Sequence, residues 1–172
     1  MREGVNIYCQ EKTWKHSVLP RGFKNAPFSL ARKADAENEL MVCIDIDSEL
    51  VSETDGNALF DDAGEQTDYL KARSEAVGKV AEFNQQTQTI TQHLASLDLI
   101  ASRQLTVNLE KEGQPLNING LYLIDEKVLN ELPADKFEDL RSKGLLTLIY
   151  AQINSIHQVG RLTAKQNAFD KS

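Results

Sequence analysis

The chain has 172 residues, of which 41% are apolar and 26% charged, so it is long enough to bury a sizeable core in one domain. This composition, with 9 glycines, 4 prolines and 2 cysteines, excludes collagen-like, disordered and disulfide-dense proteins. The longest apolar runs are far shorter than the roughly 20 residues that a membrane-spanning helix needs. We therefore expect a soluble globular protein with no membrane span.

Charge is unevenly distributed along the chain. The net charge of −7 argues against nucleic-acid binding, because neutralising phosphates needs a surplus of Lys and Arg. Residues 1–33 hold seven Lys or Arg and two Glu, residues 34–68 hold twelve Asp or Glu and no Lys or Arg, and residues 69–172 are balanced. The opposite blocks could pair within the fold or form two faces of an interface. A solvated acidic loop region is the favoured interpretation.

The two cysteines, Cys9 and Cys43, form neither a zinc pattern nor a CxxC redox motif. Both lie in apolar runs that are typical of strands, where a free thiol behaves as a small hydrophobe. We expect reduced, buried thiols. The opening residues lack the apolar segment and cleavage site of a signal peptide, so the cytoplasm is the default location.

Alternating apolar residues predict strands in the first part of the chain, residues 1–66. A period of two places one set of side chains on a core face. In the third run the opposite face is also apolar, at Met41 and Cys43, before it becomes acidic. This predicts a strand that is buried on both faces at its start and solvated at its end. The three runs are Val5, Ile7 and Cys9; Phe28 and Leu30; and Leu40, Val42, Ile44 and Ile46.

A long helix is predicted over residues 67–101, after two turn signals at residues 55–57 and 61–64. Its apolar positions form one stripe with a spacing of three to four residues. Core packing is the favoured interpretation of this stripe, and a partner groove or dimer seam is the alternative. The stripe consists of Val80, Phe83, Thr87, Ile90, Leu94, Leu97 and Ala101.

Residues 103–124 alternate again and predict antiparallel strands, and residues 125–170 predict helices. Asp125 is placed to cap a short helix, Asp135 and Glu138 have capping-box spacing for a second, and a final helix begins near Leu145. This order predicts an α+β fold, with an antiparallel sheet packed against a long helix and a C-terminal helical segment. We expect a single domain over residues 1–172.

The sequence was tested for metal, cofactor and catalytic signatures. Asp45 and Asp47 begin like an EF-hand loop, but Leu50 stands where the sharp turn needs Gly, and Gly56 where the bidentate Glu belongs. No phosphate loop, nucleophile elbow or Cys–His signature is present. We therefore predict no catalytic residue, no metal and no cofactor. Three histidines lie far apart in the sequence: His16, His93 and His157.

Arg32 lies between a strand-like run and the acidic block. Its planar guanidinium could receive an anionic ligand as a fork. The favoured alternative is an ion pair with Asp45 or Asp47 across neighbouring strands.

Several runs, taken in order, resemble the bacterial SapC-like family, which is named after a surface-layer-associated protein and is distinct from the peptide-transporter permease of similar name. The resemblance extends from about Gly4 to Leu162, and the ordered series is more specific than any single motif. The runs are 27–32 (PFSLAR), 42–48 (VCIDIDS), 58–65 (ALFDDAGE), 119–126 (NGLYLIDE) and 144–146 (GLL) followed by 151–162.

The resemblance implies no established reaction and no agreed catalytic residues. Family members are linked loosely to surface layers or transport, and are often encoded beside TonB-dependent receptors and halogenase-like flavoproteins, which implies a role in nutrient uptake or peptide handling. Members usually carry a further N-terminal segment. If strands precede Met1, the first strand here would be an exposed edge that invites dimerisation.

These observations lead to a first hypothesis, a non-enzymatic binding or accessory module that recognises a peptide, glycan or partner protein in an uptake or cell-surface system, the cell envelope being the expected place of a protein partner. The alternative is an enzyme or enzyme accessory with a small-molecule or peptide pocket near Arg32, Asp45 and Tyr122. A subunit that acts only by assembly, as a homodimer, is a third hypothesis. The family name adds cell-envelope association as an alternative location. The candidate ligand-binding residues are Arg32, Asp45, Ser48 and Tyr122.

Overall fold

A computed structural model describes residues 6–10, 13–33, 36–110, 113 and 115–171 of the chain. The chain divides into two compact units. We call His16–Ile90 the inserted unit, and Met1–Lys15 together with Thr91–Ser172 the split unit. That the whole chain acts as one domain stays a prediction.

The described residues form both β-strands and α-helices, which confirms the α+β class. Each strand pairs antiparallel with its neighbour in sequence, so the three two-stranded sheets are β1–β2, β3–β4 and β5–β6. The elements are β1 (Cys9–Gln10), β2 (Thr13–Trp14), α1 (Arg21–Asn25), β3 (Phe28–Lys33), β4 (Ala36–Ile44), α2 (Asp68–Ser96), β5 (Ile100–Asn108), β6 (Pro115–Ile124), α3 (Glu126–Asn130), α4 (Ala134–Ser142), α5 (Leu145–Ser155) and α6 (Gln158–Phe169).

The core of the inserted unit lies between the β3–β4 hairpin and the first turns of α2. Phe28 stands opposite Ile44 in the register of the hairpin, and both side chains pack with Leu70 and Val77 of α2. Burying one such side chain stabilises the fold by roughly 1.5–3 kcal/mol. The predicted packing of a sheet on the long helix is therefore confirmed.

Helix α2 ends earlier than predicted, at Ser96 instead of residue 101. Asp98 has a φ of 57°, in the left-handed region. Its N–H donates to the carbonyl of Ala95, and the N–H of Leu99 donates to that of Leu94. This is the Schellman pattern that closes a helix, and Leu99 then leads directly into β5.

The split unit joins the β5–β6 hairpin to the C-terminal helices. The carboxylate of Asp125 accepts hydrogen bonds from the N–H groups of Lys127 and Val128, so the predicted cap of a short helix is confirmed. The side-chain amide oxygen of Gln152, on α5, accepts from the N–H of Ile124 at the end of β6.

Three local predictions are corrected by the structure. The final helix is two helices, because residues 156–157 form a turn between α5 and α6. Helix α4 begins after Pro133 with no side-chain cap, so Asp135 lies inside its first turn and the capping box is absent. Of the first predicted strand, Ile7 lies in a turn, only Cys9 is in a strand, and Val5 lies outside the described residues.

Burial of the predicted strand and thiols also differs from expectation. Cys9 is exposed and Cys43 half-buried, and both are free thiols, so the prediction of buried thiols is wrong for Cys9. The expected burial of both strand faces is wrong at Leu40, which is 54% exposed, and at Met41, which is 45% exposed. Apolar side chains on both faces of β4 are therefore exposed to solvent.

Candidate functional site

A cavity of about 480 Å³ lies beside β4, within the inserted unit. We call it the β4 pocket. Its volume is within the roughly 300–1,000 Å³ of typical ligand pockets. Four segments form it: the start of β3, the end of β4, the turn that precedes α2, and the first turns of α2. Its lining residues are Phe28, Met41, Val42, Cys43, Ile44, Leu59, Phe60, Gln66, Leu70 and Ser74.

The β4 pocket lies along the edge of the strand. Four consecutive residues of β4, from Met41 to Ile44, line it. Successive side chains of a strand point to opposite faces of the sheet, so a cavity under one face would be lined by alternate residues only. Lining by all four indicates a cavity that follows the strand edge.

A tight turn holds the far wall of the β4 pocket. Phe60 and Gln66 form an antiparallel bridge. Between them, a carboxylate oxygen of Asp61 accepts from the N–H groups of Ala63 at 3.0 Å and Glu65 at 2.9 Å. Such Asx geometry mimics a backbone turn and fixes its shape. The turn therefore presents Phe60 and Gln66 as a defined wall.

Hydrogen bonds of Thr67 also join the residues before this turn to the start of α2. The hydroxyl of Thr67 donates to the carbonyl of Ala58 at 2.8 Å, and the N–H of Thr67 donates to the carbonyl of Leu59 at 3.1 Å. The same hydroxyl accepts from the N–H of Leu70. Thr67 thus acts as a cap for the first turn of α2 and holds Leu59 and Leu70 in the pocket wall.

Apolar side chains of the β4 pocket are open to solvent. Met41, Val42 and Phe60 are 45%, 40% and 56% exposed. Exposed apolar side chains that line one cavity are candidates for contact with a ligand. The arrangement is suited to receiving apolar side chains of a ligand.

Three carboxylates follow lining residues of the β4 pocket closely in the sequence. Asp45 follows the last lining residue of β4, and Asp61 and Glu65 lie within the turn between Phe60 and Gln66. A second cavity of about 180 Å³ shares Phe28, Ile44 and Leu59 with the β4 pocket and is also lined by Asp55. Residues 34–68 hold no Lys or Arg. Cations from outside this block neutralise part of its charge: Lys33 pairs with Glu39 and Lys71 with Asp68.

One cation lies next to a lining residue of the β4 pocket. The guanidinium of Arg73 lies 5.4 Å from the Phe28 ring centroid and donates to the carbonyl of Lys24. Acidic residues still outnumber these cations, so the charge near Asp45, Asp61 and Glu65 favours cationic ligands.

Two of the sequence-predicted site residues lie together at one end of the β3–β4 hairpin. The N–H of Ser48 donates to the carbonyl of Asp45 at 3.2 Å, and the carboxylate of Asp45 accepts from the N–H of Asp47. Both residues therefore form a turn at the end of β4, as turn residues commonly do. A ligand-binding role for them stays a prediction.

Arg32 lies at the opposite end of the hairpin. It stands opposite Leu40 in the register, four pairs away from the end at which Phe28 faces Ile44. The favoured ion pair with Asp45 or Asp47 across the strands is therefore wrong, because those residues follow Ile44. Arg32 instead lines a groove of about 840 Å³ with Leu30, Leu40, Gly78, Ala81, Glu82, Asn84, Gln85 and Gln88.

Tyr122 belongs to the split unit, on β6 opposite Ser102, and it is 71% exposed. The groove lined by Arg32 is formed within the inserted unit. A pocket shared by Arg32, Asp45 and Tyr122 stays a prediction.

Charged groups of the split unit form a compact cluster between the end of α2 and α4. A carboxylate oxygen of Asp139 lies 2.7 Å from Lys143 Nζ and 3.0 Å from His93 Nε2. The hydrogen bond from Lys143 holds the pKa of the Asp139 carboxyl below its usual value, and His93 adds to this lowering. Among the described residues, no group of three or more His, Cys, Asp or Glu side chains is placed to hold a metal ion.

Sequence reasoning missed most of the residues that line the β4 pocket. Ala58, Leu59 and Phe60 lie between the two turn signals in a run too short to predict an element, and Gln66 and Ser74 carry no motif. One signal is the second apolar face of the strand, formed by Met41 and Cys43. Turn geometry and helix placement bring the rest together, and neither can be read from spacing.

Comparison with known proteins gives one match. The family model described as SapC matches residues 1–162, which confirms the resemblance seen in the sequence. No curated protein and no solved structure matches the chain. In the part of the chain that the structure describes, no helix combines the length and apolar character needed to cross a membrane.

Proposed function

The chain belongs to the SapC family, and from this premise we propose that it is a non-enzymatic binding or accessory module that engages a peptide or protein partner through the β4 pocket. The link of this family to surface layers, and the TonB-dependent receptors encoded beside its members, support a partner in the cell envelope or in an uptake system. The proposed module acts in the cytoplasm or in association with the envelope.

One observation carries this proposal, the uneven exposure of large apolar side chains. Thirteen are exposed among the described residues, and ten of them lie in the inserted unit. Several of the ten border or line the β4 pocket, including Met41, Val42 and Phe60. Apolar surface of this kind stabilises a complex when a partner removes it from water, at roughly 25 cal/mol per Å².

The proposal is tested by selecting peptides from a displayed random library on the purified protein. Phe60→Asp places a charge in the pocket wall and should abolish binding of the selected peptides. The matched control is Leu148→Asp, at a similarly exposed apolar residue of the split unit, which should leave binding unchanged. Selected peptides that bind both variants equally, or a library that yields no binder, would overturn the proposal.

A small-molecule role is the second candidate, and the groove at Arg32 favours it. Arg32 lines this groove together with Asn84, Gln85 and Glu82. Arg can receive an anionic group as a bidentate fork. If this role is correct, Arg32→Ala abolishes ligand binding or activity while the melting temperature is retained. Asp45→Ala has the same effect only if the pocket extends to the other end of the hairpin; a loss of melting temperature alone identifies both residues as structural.

Assembly of the chain as a homodimer is part of the same proposal for partners. Light scattering across a range of concentrations tests it. A strict monomer at high concentration would remove the dimer and leave the partner protein.

A further inference from the structure

We propose that the free edge of β4 binds an extended peptide in which apolar residues alternate with Lys or Arg, and that this peptide adds a third strand to the β3–β4 sheet. This inference rests on the proposed binding function and names its ligand class. Three features of the inserted unit carry it: the strand edge, the cavity that follows it, and the charge around both.

The first feature is an edge whose backbone groups point outward. Among the described residues, β4 pairs with β3 and with no other strand. The N–H of Asp45 donates to the carbonyl of Pro27, so every second residue from Asp45 backward directs its N–H and C=O toward β3. The residues between them, Leu40, Val42 and Ile44, therefore direct theirs away from it.

Such an outward row of donors and acceptors is the template for strand addition. An incoming strand would pair with the outward groups of Leu40, Val42 and Ile44 without breaking any hydrogen bond within the hairpin. The register is regular from the pair Phe28–Ile44 to the pair Arg32–Leu40. Its one irregularity lies beyond them, between Arg32 and Lys33. The edge over Leu40–Ile44 is thus straight enough to pair.

The second feature is the β4 pocket beside this edge. Four consecutive β4 residues line it, so an added strand would lie directly against it. The side chains of that strand would alternate between the two faces of the sheet. One set would enter the pocket against Leu59, Phe60 and Leu70, and the other set would remain outside, which requires apolar residues at every second position of the ligand.

The third feature is the sign of the charge. Residues 34–68 hold twelve acidic and no basic residues, and the exposed Asp45, Asp61 and Glu65 flank lining residues of the pocket. The net negative charge of this block would attract Lys or Arg at the outer positions of the ligand. A second β4 edge would bring a second acidic block against the first, so charge complementarity favours a cationic peptide over a second copy of this chain.

The direct test uses the peptide acetyl-KVKLKVK-amide with a fluorescent label and the Cys9→Ser variant of the full chain. Fluorescence anisotropy measures binding. Two matched peptides separate the features: one in which alternate backbone amides are N-methylated so that the edge cannot pair, and one in which every Lys is replaced by Glu. We expect at least a tenfold weaker affinity for each, because several edge hydrogen bonds or all favourable charge contacts are lost.

Cys43 provides an independent readout. In the Cys9→Ser variant its thiol is the single remaining one and lines the pocket. Bound acetyl-KVKLKVK-amide should slow alkylation of this thiol at least severalfold. Glu65→Lys should weaken binding, and the matched control Glu131→Lys, at an exposed residue of the split unit, should not.

The outcomes are distinguishable from failure of the proposed function. Equal binding of the N-methylated peptide overturns strand addition, and equal binding of the Glu peptide overturns the charge preference, whereas the binding function survives both. If acetyl-KVKLKVK-amide does not bind but selected library peptides remain sensitive to Phe60→Asp, the ligand class is wrong and the module stands. Self-association through Val42 and Met41 in place of peptide binding also overturns this inference.

Discussion

The split unit and the inserted unit differ in how completely they bury their apolar side chains. The five largest side chains that are less than 2% exposed are Leu99, Leu129, Leu140, Ile149 and Gln166, and all five belong to the split unit. The buried apolar residues of the inserted unit are Phe28, Leu70 and Val77. The split unit thus has the larger core, and the inserted unit has most of the exposed apolar surface.

This difference separates the sources of stability from the candidate binding surface. A helical segment with a filled core resists substitution at its surface, whereas a hairpin laid on one helix leaves an edge and part of both faces uncovered. The inserted unit has the second arrangement. Substitutions should therefore act on stability in one unit and on binding in the other.

The largest expected effect is that of Leu140→Ala in the split unit, and Leu40→Ala in the inserted unit is its control. Leu140 is 0% exposed in the split unit and Leu40 is 54% exposed in the inserted unit. Leu140→Ala should reduce the free energy of unfolding by about 2–5 kcal/mol, since it removes buried contacts and leaves a cavity. Leu40→Ala should change it by less than about 0.5 kcal/mol. Urea unfolding followed by circular dichroism measures both, and similar losses would contradict the comparison.

A smaller effect is expected at the start of α3. Asp125 caps two N–H groups of this helix and also forms an ion pair with Arg103. Asp125→Ala should reduce the free energy of unfolding by about 1 kcal/mol or somewhat more. Asp135→Ala, in a first turn without a side-chain cap, is the control and should cost less than half of that in the same urea titration.

The end of α2 offers a stabilising change. Asp98 has the left-handed φ that glycine adopts without steric strain. Asp98→Gly should raise the free energy of unfolding by about 0.5 kcal/mol. In contrast, Asp135→Gly, inside a helix, should lower it by about 0.5–1 kcal/mol. A loss at both positions would contradict the Schellman ending.

The smallest effect concerns pH and the Asp139 cluster. Hydrogen bonding to Lys143 lowers the pKa of Asp139 from 3.8, so the ionised carboxyl stabilises the folded state at higher pH. This contribution is lost as the pH falls below about 3.8 and through the lower folded pKa. Asp139→Asn should therefore melt below the wild type at neutral pH, and the gap should narrow in acid.

The donor provides the control for that measurement. Lys143→Met removes the first cause of the pKa shift of Asp139. In the Lys143→Met variant, the change in melting temperature caused by Asp139→Asn should therefore depend much less on pH. If the pH dependence of the Asp139→Asn effect is the same in the Lys143→Met variant as in the wild type, the effect comes from another partner of Asp139.

Much of the fold could be predicted because local patterns agree with it. Alternation predicted the strands that contain Phe28 and Val42, and the carboxyl of Asp125 predicted a helix start that packing does not alter. The end of α2 was missed because Leu97 and Ala101 continue the apolar spacing, while the backbone turns at Asp98. Spacing reports a face of a helix and gives no information on a φ value.

The candidate site was less predictable because its walls come from separate segments. The alternation of β4 gave the strand, but exposure of Met41 depends on what covers it, and no local pattern reports cover. Phe60 and Leu70 meet β4 only through the Asp61 turn and the cap at Thr67. Arg32 and Asp45 were grouped by their nearness in sequence, whereas antiparallel pairing places them at opposite ends of one hairpin.

Because the split unit consists of two separate stretches of the chain, the two units are completed at different times during synthesis. The ribosome completes residues 16–90 before most of the split unit exists, and the β3–β4 hairpin and α2 need no later residues to meet. Short-range contacts of this kind form quickly, and domains generally fold as units while the chain is still growing. Residues 1–15, in contrast, must wait for residues 91–172 before their own unit can close. The unit with the smaller core is thus the first to be completed, with its open strand edge presented to the cell before the larger core has formed.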